Sequence, residues 1–205
     1  DWSSDVCSSD LYGVRSAMPG FIGRRLCPQL VFIPPCFEKY TAAAEETRAI
    51  FARFDADFVA RSLDEAYLDI TDYCATHGCT PDAAAQALRD AVRTETRGLT
   101  CSCGIGPNQM LAKVASDKNK PDGQFTVPST REGVLAFMAH LPCRKVPGIG
   151  RVAERVLGAL GASTCGDVLR LAPQLSLVLG HDSALFTHAL CSALGLGDTA
   201  KDRKS

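Results

Sequence analysis

Residues 62–70 read Ser-Leu-Asp-Glu-Ala-Tyr-Leu-Asp-Ile, and this stretch decides the fold because it joins two extended runs. The runs, residues 58–62 and 66–71, contain aromatic and β-branched side chains, and three residues separate them. That spacing predicts a β-hairpin. Two adjacent carboxylates, Asp64 and Glu65, therefore lie at the tip of the predicted hairpin.

The paired carboxylates at the tip have two interpretations. In a regular strand Asp64 and Glu65 would point to opposite faces, so they can meet one ligand only where the pleat is broken, as at a hairpin tip. A divalent cation that prefers oxygen ligands, such as Mg²⁺, would offset their repulsion. The other interpretation is that acidic residues are ordinary in hairpin turns, where most Asp-Glu pairs are solvated surface. A site with two metal ions would need a further acidic ligand, and no acidic residue clearly supplies it.

The chain around this hairpin alternates helices with strands. A helix capped by Thr41 is expected before it, and a second helix begins after it at Thr80 and Pro81, in cap and first-turn positions. A strand over residues 99–105, a third helix after Gly106-Pro107 and a short strand over residues 124–127 follow. Beyond Pro128, residues 130–195 contain short helix-like runs punctuated by Gly and Pro. The sequence predicts an α+β fold followed by an all-helical domain.

A Gly-Ile-Gly turn carries the second chemical signal. Residues 141–153 read as a helix, a hairpin at Gly148, Ile149 and Gly150, and a new helix, which is a helix-hairpin-helix signature. Backbone N–H groups at the start of the second helix attract phosphate. A basic island surrounds the turn, opposed in sequence only by Glu154; it consists of Arg144, Lys145, Arg151 and Arg155. Phosphate binding and a plain turn between packed helices both remain open.

Composition limits the function classes. The 205 residues are 46% apolar and 22% charged, with 22 basic against 23 acidic side chains, which excludes a disordered chain. No window approaches the roughly 18 apolar residues of a membrane span. Because the net charge is −1, nucleic-acid binding must depend on local patches. The ten cysteines are interpreted as reduced thiols. Cys74, His77 and Cys79 resemble zinc ligands but lack a fourth.

Three segments resemble the Y-family translesion DNA polymerases. Residues 62–68 resemble their second catalytic motif. Residues 112–123, Ala-Lys-Val-Ala-Ser-Asp-Lys-Asn-Lys-Pro-Asp-Gly, resemble a palm motif that ends in Lys-Pro-Asn-Gly, with Asp122 in place of the usual Asn. Residues 12–22, followed by 25–30, are similar to the fingers of the polymerase kappa branch.

The resemblance implies a domain order. Residues 12–36 would be part of the fingers, 37–127 the palm with a mixed or antiparallel sheet, and 128–198 the helix-hairpin-helix thumb. Residues 1–11 fit none of this and are interpreted as a foreign or disordered segment, and residues 199–205 as the start of a linker.

The resemblance also implies residue roles. Asp64 and Glu65 would be catalytic metal ligands for two Mg²⁺ ions, which Mn²⁺ could replace, and Lys120 would contact the incoming triphosphate. The residues expected to bind DNA are Lys145, Gly148, Ile149, Gly150 and Arg151. The implied partners are primer-template DNA and deoxynucleoside triphosphates. A nuclear location without membrane attachment is expected, and a sliding clamp would bind only through regions beyond this chain.

One departure from the family qualifies these expectations. Family members begin with a strand that carries another metal-binding aspartate, and residues 1–11 do not match that strand. We therefore expect this chain alone to be inactive. The alternative is a non-catalytic DNA-binding protein that retains the thumb hairpin.

Overall fold

The computed structural model describes residues 11–15 and 18–197, which divide into two compact units between Cys101 and Ser102. Residues 1–10 of the predicted foreign segment and the predicted linker at residues 199–205 lie outside the described residues. The unit boundary falls within the segment predicted as palm, and the division into fingers, palm and thumb stays a prediction. No helix in the described ranges has the length and apolar character needed to cross a membrane.

The described residues of the first unit form four α-helices and one hairpin. Its helices are α1 (Gly20–Leu26), α2 (Phe37–Phe51), α3 (Thr71–His77) and α4 (Pro81–Glu95). Strands β1 (Val59–Ala60) and β2 (Ala66–Tyr67) pair antiparallel, with Val59 opposite Tyr67 and Ala60 opposite Ala66. Helices α2 and α4 pack together through apolar side chains. The core of this unit includes Ala44, Ile50, Ala84, Leu88 and Val92.

The second unit begins with a parallel strand pair and continues in helices. Strands β3 (Cys103–Ile105) and β4 (Gln124–Thr126) flank helix α5 (Gln109–Ala115). Five helices follow: α6 (Arg131–Ala139), α7 (Arg151–Ala159), α8 (Cys165–Arg170), α9 (Ala172–Leu179) and α10 (Ala184–Ala193). They enclose a core that includes Leu111, Met138, Leu157 and Leu175. The predicted order of mixed and helical segments is confirmed. The expected mixed or antiparallel sheet is present, among the described residues, as two separate strand pairs, of which β1–β2 is antiparallel and β3–β4 is parallel.

Several sequence-based boundaries were wrong. The strand expected over residues 99–105 begins only at Cys103, and the strand expected over residues 58–62 is limited to Val59–Ala60. The helix expected to start at Thr41 begins at Phe37, because Pro34 and Pro35 keep the preceding chain out of the helical region and Cys36 occupies the cap position. The strand expected over residues 66–71 ends at Tyr67, and helix α3 begins at Thr71. The Asp69 carboxylate accepts hydrogen bonds from the Thr71 amide (3.1 Å) and hydroxyl (2.7 Å), which turns the chain out of the extended conformation.

Candidate functional site

The acidic hairpin, residues 59–67, presents its carboxylates at the tip. The amides of Arg61 and Ser62 both donate to the carbonyl of Glu65, at 2.8 and 3.3 Å, and these bonds close the turn. Asp64 and Glu65 are exposed. They lie outside the paired strands, so the pleat does not force them onto opposite faces.

Ser62 orients one of these carboxylates. Its hydroxyl lies 2.6 Å from Asp64 Oδ1, where it donates a hydrogen bond, and it accepts a bond from the Asp64 amide at 3.3 Å. The Ser62 carbonyl in turn accepts from Arg48 Nη2 on α2 at 3.1 Å. Sequence reasoning missed Ser62 as a functional candidate, although a serine two residues before an aspartate is a known local hydrogen-bonding pattern.

The structure does not group these carboxylates into a complete metal cage. Among residues 11–15 and 18–197, no three His, Cys, Asp or Glu side chains are arranged to hold a metal ion. The carboxylate of Asp55, which precedes β1 in sequence, accepts hydrogen bonds from the amides of Asp57 (3.0 Å) and Asp69 (2.8 Å). Asp55 therefore stabilises the main chain on both sides of the acidic hairpin. The acidic hairpin therefore offers two carboxylates, and a further ligand must come from elsewhere.

The zinc hypothesis for Cys74, His77 and Cys79 finds no support in this geometry. His77 Nδ1 lies 2.9 Å from the Tyr73 carbonyl, and its ring stacks on Tyr73 with the centroids 4.1 Å apart. Burial, a hydrogen bond to Cys79 and the negative charge of the Cys79 thiolate raise the pKa of Cys74. Within the described residues, these three side chains are not arranged to hold a metal ion.

Lys120 lies in the second unit, at a turn between α5 and β4. Its Nζ is 2.9 Å from Asp117 Oδ1. Asn119 braces the turn by donating from Nδ2 to the Gln124 carbonyl at 2.7 Å. Asp122, which replaces the family's usual Asn, has φ +47°, a conformation that Asn and Asp tolerate better than other residues with side chains.

Asp117 is the ionic centre of this region and was missed by the sequence analysis. Partial burial raises its pKa, but the hydrogen bond from Lys120 and the charges of Lys120, Lys145 and Lys113 outweigh burial and hold the pKa below its ordinary value. Lys145 Nζ lies 3.6 Å from Asp117 Oδ2. The side chains predicted to contact nucleotide and DNA thus share one carboxylate.

The glycine hairpin, residues 146–151, connects a 3₁₀ turn (Cys143–Lys145) to helix α7. The helix expected before the hairpin is a single 3₁₀ turn, because the Cys143 amide donates to the Ser163 carbonyl (2.9 Å) and Pro142 forms a bridge with Thr164. Ile149 is 2% exposed, so it anchors the hairpin in the core. Gly150 caps α7 without a side-chain hydrogen bond, so the first turn of that helix keeps unpaired N–H groups.

The cations around the glycine hairpin have different partners. Arg144 Nη1 donates to the Ile149 carbonyl at 2.9 Å, and its Nε lies 3.7 Å from Glu154 Oε2. Lys145 pairs with Asp117, so the island is opposed by Asp117 as well as by Glu154. Arg151 is exposed on the first turn of α7. The roles predicted for Lys145 and Arg151 remain compatible with their exposure.

Two family matches cover both units. Residues 7–117 match the impB/mucB/samB family, and residues 131–162 match the HHH motif of the same IMS family. The first match covers more than half of the chain.

Similar proteins point the same way. The chain is 47% identical over 199 residues to a DNA polymerase kappa of Arabidopsis thaliana. The aligned region covers 95% of this chain and 29% of that protein. It is 47% identical over 169 residues to a DNA polymerase IV of Stenotrophomonas maltophilia, covering 80% of this chain and 45% of the relative. A DinB family error prone DNA polymerase from Sulfolobus solfataricus superposes with a TM-score of 0.77 at 25% identity, covering 95% of this chain and 57% of that one. The chain therefore spans less than half the length of these two curated relatives.

Proposed function

This chain belongs to the impB/mucB/samB family, the Y-family of translesion DNA polymerases, and from that premise we propose that it serves template-directed DNA synthesis across damaged bases. The observation that carries the proposal is the acidic hairpin within the matched segment, with Asp64 and Glu65 exposed at its tip. The reaction is attack of a primer 3′ hydroxyl on a deoxynucleoside triphosphate, with pyrophosphate leaving.

Asp64 and Glu65 fit the divalent cations that this chemistry uses. Both supply carboxylate oxygens, both are exposed, and the Ser62 hydroxyl holds one oxygen of Asp64 in a fixed orientation. These are the ligands that Mg²⁺ prefers, and Mn²⁺ could substitute for it. When bound, two such ions would offset charge at the reacting phosphate and favour the ionised 3′ hydroxyl.

We propose that Lys120 binds the triphosphate of the incoming nucleotide. Its ammonium already pairs with the carboxylate of Asp117. Lys120 would therefore either leave Asp117 for a phosphate oxygen or contact both groups. A triphosphate carries more negative charge than one carboxylate, which favours the exchange.

The glycine hairpin is proposed to hold the DNA backbone. Exposed Lys145 and Arg151 flank a turn whose two glycines let a phosphate approach the main chain. Such contacts position a duplex without reading its bases, so binding would depend on salt and not on sequence.

Titration of a labelled primer-template tests this hairpin assignment. The Lys145→Glu/Arg151→Glu double variant should bind much more weakly than the parent, and an Asp182→Lys variant, altered at an exposed ion pair elsewhere in the unit, serves as a control for charge changes. Equal affinity of the double variant and the parent would show that the hairpin is only structural.

The second candidate function is DNA binding without catalysis. The single pair of carboxylates favours it, because the described residues do not supply the third acidic ligand. Single-nucleotide incorporation by a chimaera, in which a full-length relative receives residues 12–198 of this chain, separates the two candidates. Incorporation supports the polymerase, and a chimaera that binds primer-template but incorporates nothing supports the binder.

A nuclear location and contact with a sliding clamp are part of the same proposal. Both follow from likeness to the kappa branch, and the clamp would bind through segments beyond this chain. Imaging of a fluorescent fusion in a eukaryotic cell tests the location, and cytoplasmic retention would contradict it.

A further inference from the structure

Two main-chain carbonyls of the glycine hairpin accept hydrogen bonds from side chains of the same unit. His188 Nε2 on α10 lies 2.9 Å from the Pro147 carbonyl, and Arg144 Nη1 lies 2.9 Å from the Ile149 carbonyl. Because a carbonyl oxygen can only accept, Nε2 of His188 must carry the proton. Each bond fixes the orientation of one peptide plane in the turn.

The planar peptide bond links the direction of each of these carbonyls to the direction of the amide that follows it. In a trans peptide the N–H of the next residue points opposite to the carbonyl. Holding the Pro147 and Ile149 carbonyls against His188 and Arg144 therefore directs the N–H groups of Gly148 and Gly150 away from those side chains. The Ile149 amide, which lies between these two in sequence, is already paired, because it donates to the Val146 carbonyl at 3.1 Å. Within the described ranges, the Gly148 and Gly150 amides have no acceptor.

The imidazole of His188 also packs against Gly148. A Cβ at residue 148 would lie 2.6 Å from Nε2, and φ at this position is +90°. Phe186 and Ala189, both buried, anchor α10 on either side of His188 in sequence. The imidazole thus reaches the hairpin from a helix that is fixed in the core.

Arg144 is similarly committed to the hairpin. Besides the bond to Ile149, its guanidinium faces Glu154 on the first turn of α7. A guanidinium engaged by a carbonyl and a carboxylate has fewer N–H groups available for DNA than the exposed Arg151.

We propose that His188 and Arg144 are positioning residues that aim the Gly148 and Gly150 amides at one DNA phosphate, and that Arg144 makes no phosphate contact of its own. The inference depends on the proposed DNA binding by the glycine hairpin. It extends the DNA-binding machinery to α10, a helix outside the matched motif at residues 131–162.

Salt dependence distinguishes positioning from charge. An amide contact releases few counterions, whereas each cation on a phosphate adds about one to the slope of log K against log salt. In the 205-residue chain, His188→Leu and Arg144→Met should each weaken duplex binding about tenfold with the slope unchanged. Lys145→Ala should instead reduce the slope by about one. His181→Leu, at an exposed histidine that pairs with Asp182, is the matched control and should bind like the parent.

Two further measurements complete the test: recovery of DNA affinity by a conservative variant, and NMR observation of the Gly148 and Gly150 amides. His188→Gln restores a side-chain N–H donor, so it should recover most of the affinity that His188→Leu loses. On titration with a short duplex, the Gly148 amide resonance should shift in the parent and fail to shift in His188→Leu, while Gly150 still responds. Arg144→Met should show the reverse pattern.

The outcomes separate this inference from the hairpin assignment. If His188→Leu binds like the parent while Lys145→Glu/Arg151→Glu binds weakly, the positioning role is refuted and the DNA-binding hairpin stands. If the slope falls in His188→Leu or Arg144→Met, that residue acts as a charge and the inference is wrong. If the Lys145→Glu/Arg151→Glu variant binds duplex DNA like the parent, the proposed DNA binding by the glycine hairpin is itself refuted.

Discussion

Lys120 and Asp117 form an ion pair in which Nζ lies 2.9 Å from Oδ1, while the second carboxylate oxygen lies 3.6 Å from Lys145 Nζ. One carboxylate therefore balances Lys120, which is proposed to bind the nucleotide, and Lys145, which is proposed to bind the DNA backbone. Both lysine side chains are at least half exposed, so either can leave this partner for a phosphate at small cost.

Asp117→Asn should strengthen duplex binding. The substitution removes a negative charge beside the glycine hairpin and frees Lys145, so affinity should rise up to about fivefold, with a steeper salt slope. Fluorescence anisotropy with a labelled duplex at several salt concentrations measures both quantities. Asp182→Asn makes the same change of charge at an exposed pair and should have little effect. Weaker binding by Asp117→Asn would show that the carboxylate organises the DNA contacts.

The same carboxylate predicts a pH dependence of stability. Its pKa is lowered in the folded state, so its contribution is present above the unfolded value of about 4 and is lost as the pH falls through the folded value. The free energy of unfolding should therefore be higher in the parent than in Asp117→Asn at pH 6, by less than about 1 kcal/mol for such an exposed pair. The difference should shrink as the pH falls below about 4. Urea denaturation across this range checks it, and a difference that grows on acidification would contradict the ion pair.

Gly148→Ala and Gly158→Ala should have opposite effects. At residue 148 a side chain meets φ +90° and the His188 ring, so the substitution should destabilise the chain by about 1–2 kcal/mol or more and weaken DNA binding. Gly158 lies inside α7 with open space around its Cα, so alanine should stabilise the chain by about 0.5–1 kcal/mol. Thermal unfolding of both variants measures the contrast. Equal effects would mean that the hairpin conformation is not required.

Local sequence signals predicted the elements whose cause is local. Thr80 and Pro81 gave the start of α4, and the Thr80 hydroxyl does accept from the Ala83 amide at 3.2 Å. The hairpin around Asp64 followed from two extended runs and a short spacing. The start of α2 was missed because its cap, Cys36, makes no side-chain hydrogen bond, so only Pro34 and Pro35 mark the end of the non-helical chain.

The partners of the site residues could not be predicted in the same way. Asp117 and Lys145 are 28 residues apart, and His188 reaches a carbonyl 41 residues away, so packing alone brings these groups together. The sequence identified the cations of the basic island and one opposing carboxylate, Glu154, but not Asp117. Sequence therefore identified candidate phosphate contacts, and only the structure distinguishes exposed Arg151 from Arg144, which is engaged by Ile149 and Glu154.

Asp64→Asn and Glu65→Gln should lower turnover in a chimaera of this chain with a full-length relative. Each keeps the shape of the side chain but removes charge needed for metal binding, so kcat should fall by orders of magnitude while DNA affinity changes little. Ser62→Ala should have a smaller effect, because it releases Asp64 without removing its charge. Steady-state single-nucleotide incorporation measures all three, with Asp72→Asn on exposed α3 as the control. Unchanged kinetics in Glu65→Gln would refute its role.

The 205-residue chain alone should not extend a primer at a useful rate. Two-metal catalysis needs enough carboxylates to hold both ions in line with the reacting oxygens, and the described residues group no more than two acidic side chains at the acidic hairpin. A misplacement of about 1 Å can reduce the rate on the order of a hundredfold, so one poorly held ion is enough to stop the reaction. Primer extension with Mg²⁺ or Mn²⁺ tests this, and the Asp64→Asn chain controls for contaminating polymerase. Robust extension that disappears in that control would show that the carboxylates present suffice.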